Sequence, residues 1–334
     1  MKIAIFNTKS YDREYLEMAN DCKHQLKYLK PELTSDTAGL ARGYDGVCAF
    51  VNDNIDKDTI QALSDLNIKL IALRCAGFNQ VDLEAAQKKG ITILRVPAYS
   101  PQAVAEHAVA LIMALNRKTH KAYNRVREGN FSLEKLMGFD VHNKTIGVVG
   151  TGKIGQAFIN IMSGFGCKIM AFDHYPNKEM QNKGVEYVEL KELFRKSDII
   201  SLHCPLTPET YQIINKNTLD QMKKGTMLIN TSRGKLINSE DVIEALKSEK
   251  LGYLGIDVYS QEENIFFKDL SEQIIYDDAI MRLITFPNVL ITSHQAFFTT
   301  DALTQIAQTT IQNITDFENG TPSKNEINAE MVKK

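Results

Sequence analysis

Short apolar runs alternate with longer amphipathic stretches from the start of the chain. Residues 2–7, 47–51, 70–73 and 91–96 read as strands, and 11–29, 57–66 and 83–89 read as helices between them. Strand and helix in alternation imply a parallel sheet with helices on its faces. Pro97 interrupts the pattern, and Ser100-Pro101 has the form of an N-cap followed by proline in the first helical turn. The helix it opens, 102–118, is apolar nearly all round, which suits burial at a domain or subunit boundary. A polar connection over 126–143 leads to a second series, with strands expected at 145–149, 168–172, 199–203, 227–230, 253–258 and 289–292. A last helix, 300–319, is long enough to return to the first sheet. The pattern predicts an α/β protein with two doubly wound parallel sheets. Residues 100–298 would form one domain, inserted into a discontinuous domain made of 1–99 and 299–334.

Composition narrows the partners. A chain of 334 residues exceeds one ordinary core. Its net charge of −2 argues against nucleic acid or an anionic membrane surface as the main partner. Cys22, Cys48, Cys75, Cys167 and Cys204 are odd in number and lack CxxC spacing, which suits free thiols in a reducing compartment and no metal site. The most apolar stretch, 108–115, is far shorter than the roughly 20 residues that span a bilayer. The opening Met-Lys-Ile-Ala-Ile-Phe-Asn reads as a strand, not a signal peptide. A cytoplasmic protein is expected, with a small molecule as its partner. No P-loop or Gly-x-Ser-x-Gly elbow is present to support a kinase or hydrolase.

The segment Val149-Gly150-Thr-Gly152-Lys-Ile-Gly155 places GxGxxG between a strand and a helix. Gly150 would make the tight turn, Gly152 would let the backbone approach a pyrophosphate, and Gly155 would let helix and strand pack closely. The pyrophosphate would lie on the helix N-terminus. Glycine turns alone are a weak signal, but Asp173 ends the next strand at the fingerprint's distance. A carboxylate there accepts hydrogen bonds from ribose hydroxyls and repels a 2′-phosphate, and His174-Tyr175 offers no arginine to receive one. Both sheets are thus read as Rossmann-like, and NAD is favoured over NADP.

Three further strand ends carry unusual polar residues: Asn230-Thr-Ser-Arg233, Asp257-Val-Tyr-Ser-Gln-Glu262, and Ser293-His294-Gln-Ala-Phe297-Phe298. Ligands of open α/β sheets bind outside the carboxyl ends of the strands, so all three point at one crevice. Reduction of a 2-keto acid needs these types. A guanidinium holds a carboxylate bidentately, an imidazolium gives a proton to the carbonyl oxygen, and a carboxylate favours the charged imidazole. Arg233, His294 and Glu262 supply one of each. His107, inside an apolar helix, reads as a structural histidine with a satisfied ring. His203 is given no catalytic role, and His24, His120 and His142 read as surface residues.

Taken together, these segments resemble the D-isomer-specific 2-hydroxyacid dehydrogenases, nearest to their fermentative D-lactate branch. The resemblance covers essentially the whole chain. It includes Arg74-Cys-Ala-Gly-Phe-Asn79, Val96-Pro-Ala-Tyr-Ser-Pro-Gln-Ala-Val-Ala-Glu-His107, the glycine loop, Cys204-Pro-Leu-Thr, the arginine and aspartate–glutamate segments, and Ser293 to Phe298. It implies NADH-dependent reduction of pyruvate to D-lactate, with Arg233, Glu262 and His294 catalytic and His294 the proton donor. It implies NAD contacts from Lys153, Ile154, Asp173, Cys204, Pro205, Thr210, Thr231, Ser232, Arg233 and Asp257. It places the substrate carboxylate on the backbone of Ala76 and Gly77 with Arg233, and the methyl group among Phe50, Tyr99 and Phe297. A larger D-2-hydroxy acid is an alternative substrate, and an NAD-sensing corepressor-like binding protein is the alternative from another class. A homodimer or homotetramer is expected.

Overall fold

The computed structural model describes residues 1–332. The chain folds as two compact units, one built from Met1–Ser100 with the segment from Phe298 onward, the other from Pro101–Phe297.

The first unit begins β1 (Lys2–Ile5), α1 (Ser10–Asn20), β2 (Gln25–Tyr28), β3 (Gly46–Ala49), α2 (Lys57–Asp65), β4 (Leu70–Leu73), α3 (Leu83–Lys89) and β5 (Thr92–Leu94). Every residue of β3 and β4 is buried, as continuous apolar runs require when helices cover both faces of a parallel sheet. Asp56 and Asp82 cap α2 and α3 by accepting from first-turn N–H groups, each contributing about 1 kcal/mol relative to alanine. The helix expected over 11–29 ends early. Asp21 and Cys22 turn left-handed, with φ 45° and 58°, and residues 25–28 pair with β1 as an edge strand. Gln-Leu-Lys-Tyr has no β-branched residue, so its local preference does not announce a strand.

The second unit opens with α4 (Pro101–Arg117) and α5 (Thr119–Arg127). It continues through β6 (Thr145–Val149), α6 (Lys153–Gly164), β7 (Lys168–Phe172), α7 (Lys178–Asn182), β8 (Glu186–Tyr187), α8 (Leu190–Lys196), β9 (Ile199–Leu202) and α9 (Lys216–Gln221). It closes with β10 (Thr226–Asn230), α10 (Ser239–Lys247), β11 (Leu251–Ile256), α11 (Asp278–Thr285) and β12 (Val289–Ile291). The sheet order is β12-β11-β10-β9-β6-β7-β8, with every pairing parallel. The order reverses between β6 and β9, which makes their carboxyl ends the switch point. β8 is an addition to the six strands expected; a two-residue edge strand leaves too little pattern to detect. α4 packs on α6, β10 and β11, and its Ala105, Ala108, Leu111 and Ile112 share a core with Val148, Phe158 and Ile229. That face of the helix is used inside its own unit.

The chain then returns to the first unit through α12 (Thr300–Glu318) and β13 (Glu326–Ile327). α12 buries Ala307, Ile311 and Ile314 against Ile3, Ile5, Leu16 and Leu70. β13 pairs antiparallel with β5, completing the order β13-β5-β4-β3-β1-β2. Both sheets are doubly wound. His24, expected at the surface, is buried instead: α12 covers it, with Thr315 Oγ1 2.9 Å from Nε2 and Glu318 3.4 Å from Nδ1. His120 is half-buried, whereas His142 is exposed. Among the described residues no helix is long and apolar enough to cross a membrane.

Candidate active site

The glycine loop lies at the switch point of the second unit. Gly150 has φ 96°, and a Cβ there would stand 2.7 Å from the Cys204 nitrogen and the His203 carbonyl carbon, so no larger residue fits. A Cβ on Gly155 would strike the Gly150 carbonyl oxygen, whereas one on Gly152 would meet nothing within 4 Å. The loop is closed toward the sheet and open where α6 presents its free N–H groups. Lys153 is exposed and Ile154 half-buried in the first turn.

Asp173, at the end of β7, accepts from the Thr151 N–H at 2.6 Å, the Thr151 hydroxyl at 3.0 Å and the Tyr175 N–H at 2.9 Å. Burial acts to raise its pKa, but these donors outweigh burial and hold it below the usual carboxylate range. Across the switch point, Thr210 Oγ1 donates to the exposed Pro205 carbonyl at 2.7 Å, and Ser232 Oγ to the buried Cys204 carbonyl at 2.6 Å. Among the described residues Thr231 Oγ1 and His203 Nδ1 are buried there without a partner, and burial pushes the His203 pKa down to about 3. Open glycine, helix donors, a fixed ionised Asp173 and an orphaned buried hydroxyl together fit a dinucleotide.

Three adjacent strands, β10, β11 and β12, carry the catalytic candidates at their carboxyl ends. His294 Nδ1 lies 2.9 Å from Glu262 Oε1, and Glu262 Oε2 accepts from the Tyr259 N–H at 2.9 Å. The carboxylate thus has one oxygen for the protein and one for the imidazole, and both side chains are about one-fifth exposed. His294 is left-handed, with φ 52°, a costly conformation that persists only where its surroundings impose it. Asp257 imposes it. Its carbonyl accepts from the His294 N–H at 2.7 Å, and its carboxylate accepts from the Gln295 and Ala296 N–H groups, each at 2.9 Å, and from the Thr292 hydroxyl.

Asp257, which the resemblance names among the NAD contacts, has its side chain buried under these donors. Burial alone would raise its pKa; His107, Thr292 and the Ala296 N–H together hold it down. His107 Nε2 lies 3.0 Å from Thr292 Oγ1 and 3.4 Å from Asp257, so its ring has partners, as a structural histidine should. Arg233 gives one guanidinium N–H to the Ser232 carbonyl at 2.7 Å, and among the described residues no carboxylate pairs with it. The next residue, Gly234, packs backbone to backbone on Tyr259, where a Cβ would overlap the Tyr259 carbonyl. That contact locks the arginine loop to the glutamate loop. Gly234→Ala should therefore cost about 1–3 kcal/mol by overpacking. The loss would appear as a Tm several degrees lower; an unchanged Tm would mean that the two loops part freely.

The comparison that decides the family covers this unit. The D-isomer specific 2-hydroxyacid dehydrogenase NAD binding domain matches residues 109–296. The chain belongs to the D-isomer specific 2-hydroxyacid dehydrogenases. It is 51% identical over 328 residues to the D-lactate dehydrogenase of Escherichia coli (strain K12), covering 98% of this chain and 100% of that one. The apo-structure of D-lactate dehydrogenase from Escherichia coli matches with a TM-score of 0.91 at 50% identity, again over 98% and 100% of the two chains. The pyruvate reductase of Chlamydomonas reinhardtii matches with a TM-score of 0.94 at 46% identity, over 97% and 98%.

The remaining candidates in this dehydrogenase divide between the units. In the second, Phe297 is buried and Phe267, which sequence reasoning missed, stands 6.1 Å from the His294 ring centroid. In the first, Phe50, Ala76, Gly77 and Tyr99 are all half-buried. The Arg74 guanidinium lies 4.9 Å from the Phe50 ring centroid and bonds the Asn7 carbonyl at 2.8 Å and Asp12 at 3.2 Å. Sequence reasoning also missed Tyr259 and Asp277, whose carboxylate takes the Tyr259 hydroxyl at 2.8 Å. No motif marks that pair, because it joins the glutamate loop to the start of α11 only in space.

Proposed function

We propose that this dehydrogenase reduces pyruvate to D-lactate with NADH, reversibly. The observation that carries the reading is the Glu262–His294 pair at a strand end, beside a strand end whose guanidinium pairs with no carboxylate among the described residues. NADH, when bound, supplies the hydride that reaches the substrate's C2. Thr231, Asp173 and the glycine loop would hold it. Arg233 takes the substrate carboxylate through its remaining donors and so fixes the face that C2 presents. The role that the resemblance gives the N–H groups of Ala76 and Gly77, as donors to a 2-keto acid carboxylate, is part of the same proposal. Because Nδ1 is engaged by Glu262, His294 gives its proton from Nε2 to the carbonyl oxygen. Glu262 stabilises the imidazolium before transfer and keeps the ring in place afterwards. Phe297 in the second unit, and Phe50 and Tyr99 in the first, keep the methyl-binding role that the resemblance gives them.

The test follows NADH absorbance with pyruvate, 2-ketobutyrate, 2-ketoisocaproate, phenylpyruvate and hydroxypyruvate, then NAD reduction by D- and L-lactate. Turnover strongest on pyruvate, with reverse activity on the D-isomer alone, is expected. Preference for a bulky keto acid would overturn the substrate. Silence across the panel in protein that binds NADH would overturn the enzyme reading in favour of nucleotide sensing.

We further propose that it works in the cytoplasm as a homo-oligomer. Tyr123, Val126, Phe131, Leu133 and Met137 are between 51% and 84% exposed within one stretch of the second unit, a concentration typical of interaction surfaces. A symmetric dimer is the default closed arrangement. Replacing Phe131 and Leu133 together by serine should yield monomers in sedimentation velocity. An unaltered sedimentation coefficient would remove this segment from the interface.

A further inference from the structure

β5 ends at Leu94, and the arginine that follows turns its guanidinium onto a loop of its own unit. Arg95 Nη1 donates to the Ala76 carbonyl oxygen at 2.8 Å, and its guanidinium carbon stands 5.0 Å from the Phe78 ring centroid. Burial pulls its pKa below the usual arginine value, and among the described residues no acidic side chain pairs with it. A half-buried cation bonded to a single loop carbonyl is an expensive arrangement, so its effect on that loop is the point of interest.

The loop is anchored by its carbonyls and open at its N–H groups. The Gly77 carbonyl accepts from Cys75 Sγ at 3.3 Å, and the Cys75 carbonyl from the Val96 N–H at 3.2 Å. The N–H groups of Ala76, Gly77 and Phe78 meet no acceptor among the described residues. The Ala76–Gly77 peptide is trans and planar, so the Ala76 carbonyl and the Gly77 N–H point in opposite directions. Whatever holds the carbonyl also aims the N–H away from itself.

Arg95 is in turn held from the far end of the chain. Its N–H donates to the Asn325 carbonyl at 3.1 Å, and its carbonyl accepts from Asn313 Nδ2 at 2.9 Å. Asn325 Nδ2 donates to Asn313 Oδ1 at 2.8 Å. Asn313 lies on α12 and is 1% exposed. The arginine therefore has a fixed base from which to orient the loop.

We propose that Arg95 is a positioning residue that, by gripping the Ala76 carbonyl, presents the Gly77 N–H as a fixed donor to the carboxylate of a 2-keto acid. The inference rests on the proposed role of Ala76 and Gly77 in holding that carboxylate. It predicts a binding defect specific to the carboxylate-bearing ligand, since Arg95 touches neither the glycine loop nor His294.

The test uses the full chain and oxamate, a pyruvate isostere whose binding requires no turnover. Oxamate affinity with saturating NADH, NADH affinity alone, and KM and kcat for pyruvate are measured for the parent, Arg95→Ala, Arg95→Lys and Phe78→Leu. For Arg95→Ala the oxamate Kd and pyruvate KM should rise about tenfold, as for loss of one well-placed charge-assisted contact. The kcat and NADH Kd should stay near parental values. Free guanidinium at millimolar concentration should recover part of the loss, Arg95→Lys should fall in between, and Phe78→Leu should resemble the parent. Parental oxamate and pyruvate values in Arg95→Ala would overturn the proposal, as would a joint fall in oxamate affinity, NADH affinity and kcat. Phe78→Leu matching Arg95→Ala would also overturn it, because packing would then explain the effect. If Arg95→Ala does not fold, Arg95→Lys and Phe78→Leu carry the same comparison. A parent that neither binds oxamate nor turns over any 2-keto acid overturns the functional reading itself, whereas a failure confined to Arg95→Ala leaves that reading standing.

Discussion

A His294→Gln protein should bind NADH as tightly as the parent while its kcat for pyruvate falls about 10²- to 10⁴-fold, the usual contribution of a positioned general acid. Glutamine is close to histidine in volume, and its amide can still donate to Glu262 Oε1, so the loop has reason to keep its shape. That shape is set by other atoms: the His294 N–H on the Asp257 carbonyl and the two following N–H groups on the Asp257 carboxylate. The substitution therefore removes a transferable proton and little else. Fluorescence titration with NADH and steady-state rates with pyruvate check both halves. A kcat near the parental value would remove His294 as proton donor. Weakened NADH binding would show instead that the imidazole mainly supports the cofactor site. Asp257→Ala makes an instructive companion, because it leaves the imidazole in place but frees the left-handed turn that aims it. A large loss there, with His294 intact, would show that the φ of 52° is imposed on the residue and not its own preference.

The parts of this molecule legible in the sequence share a physical cause. Buried parallel strands are apolar runs, and the first polar residue after such a run marks a strand end. Asp257 directly follows such a run and Arg233 and His294 lie within three residues of a strand end, whereas Glu262 stands out through the family resemblance; the sheet brings their strands side by side. The glycine loop and Asp173 were legible because one backbone turn and one strand length fix their spacing. The edges were not. β2, β8 and β13 are short and carry Gln, Lys or Glu, so pairing with an existing sheet makes them strands where local preference does not. Contacts between distant segments were equally hidden. Nothing near Asp257 in sequence announces Thr292 or His107 as partners of its carboxylate. Arg95 gave no signal at all, since its role depends on Asn313 and Asn325, more than two hundred residues away. His24 was misplaced for the same reason, because the helix that covers it belongs to the end of the chain.

Arg233→Gln should lower kcat/KM for pyruvate by roughly 10²- to 10³-fold, in line with truncating one member of a desolvated charge pair. One guanidinium N–H is taken by the neighbouring Ser232 carbonyl, and among the described residues no carboxylate neutralises the rest. A forked cation left open at a strand mouth is built to receive a planar anion. Arg233→Lys keeps the charge but offers a single point of attachment, so it should recover only part of the loss. Arg233 also adjoins the proposed cofactor contacts, and loss of activity alone would not distinguish the two roles. Pyruvamide does, because it keeps the keto group and methyl of pyruvate without the negative charge. If Arg233 holds the substrate carboxylate, the parent's preference for pyruvate over pyruvamide should collapse in Arg233→Gln, with NADH affinity nearly unchanged. If both substrates lose equally and NADH affinity falls with them, the guanidinium serves the cofactor, and the free donors of the Ala76–Gly77 loop must hold the carboxylate without it.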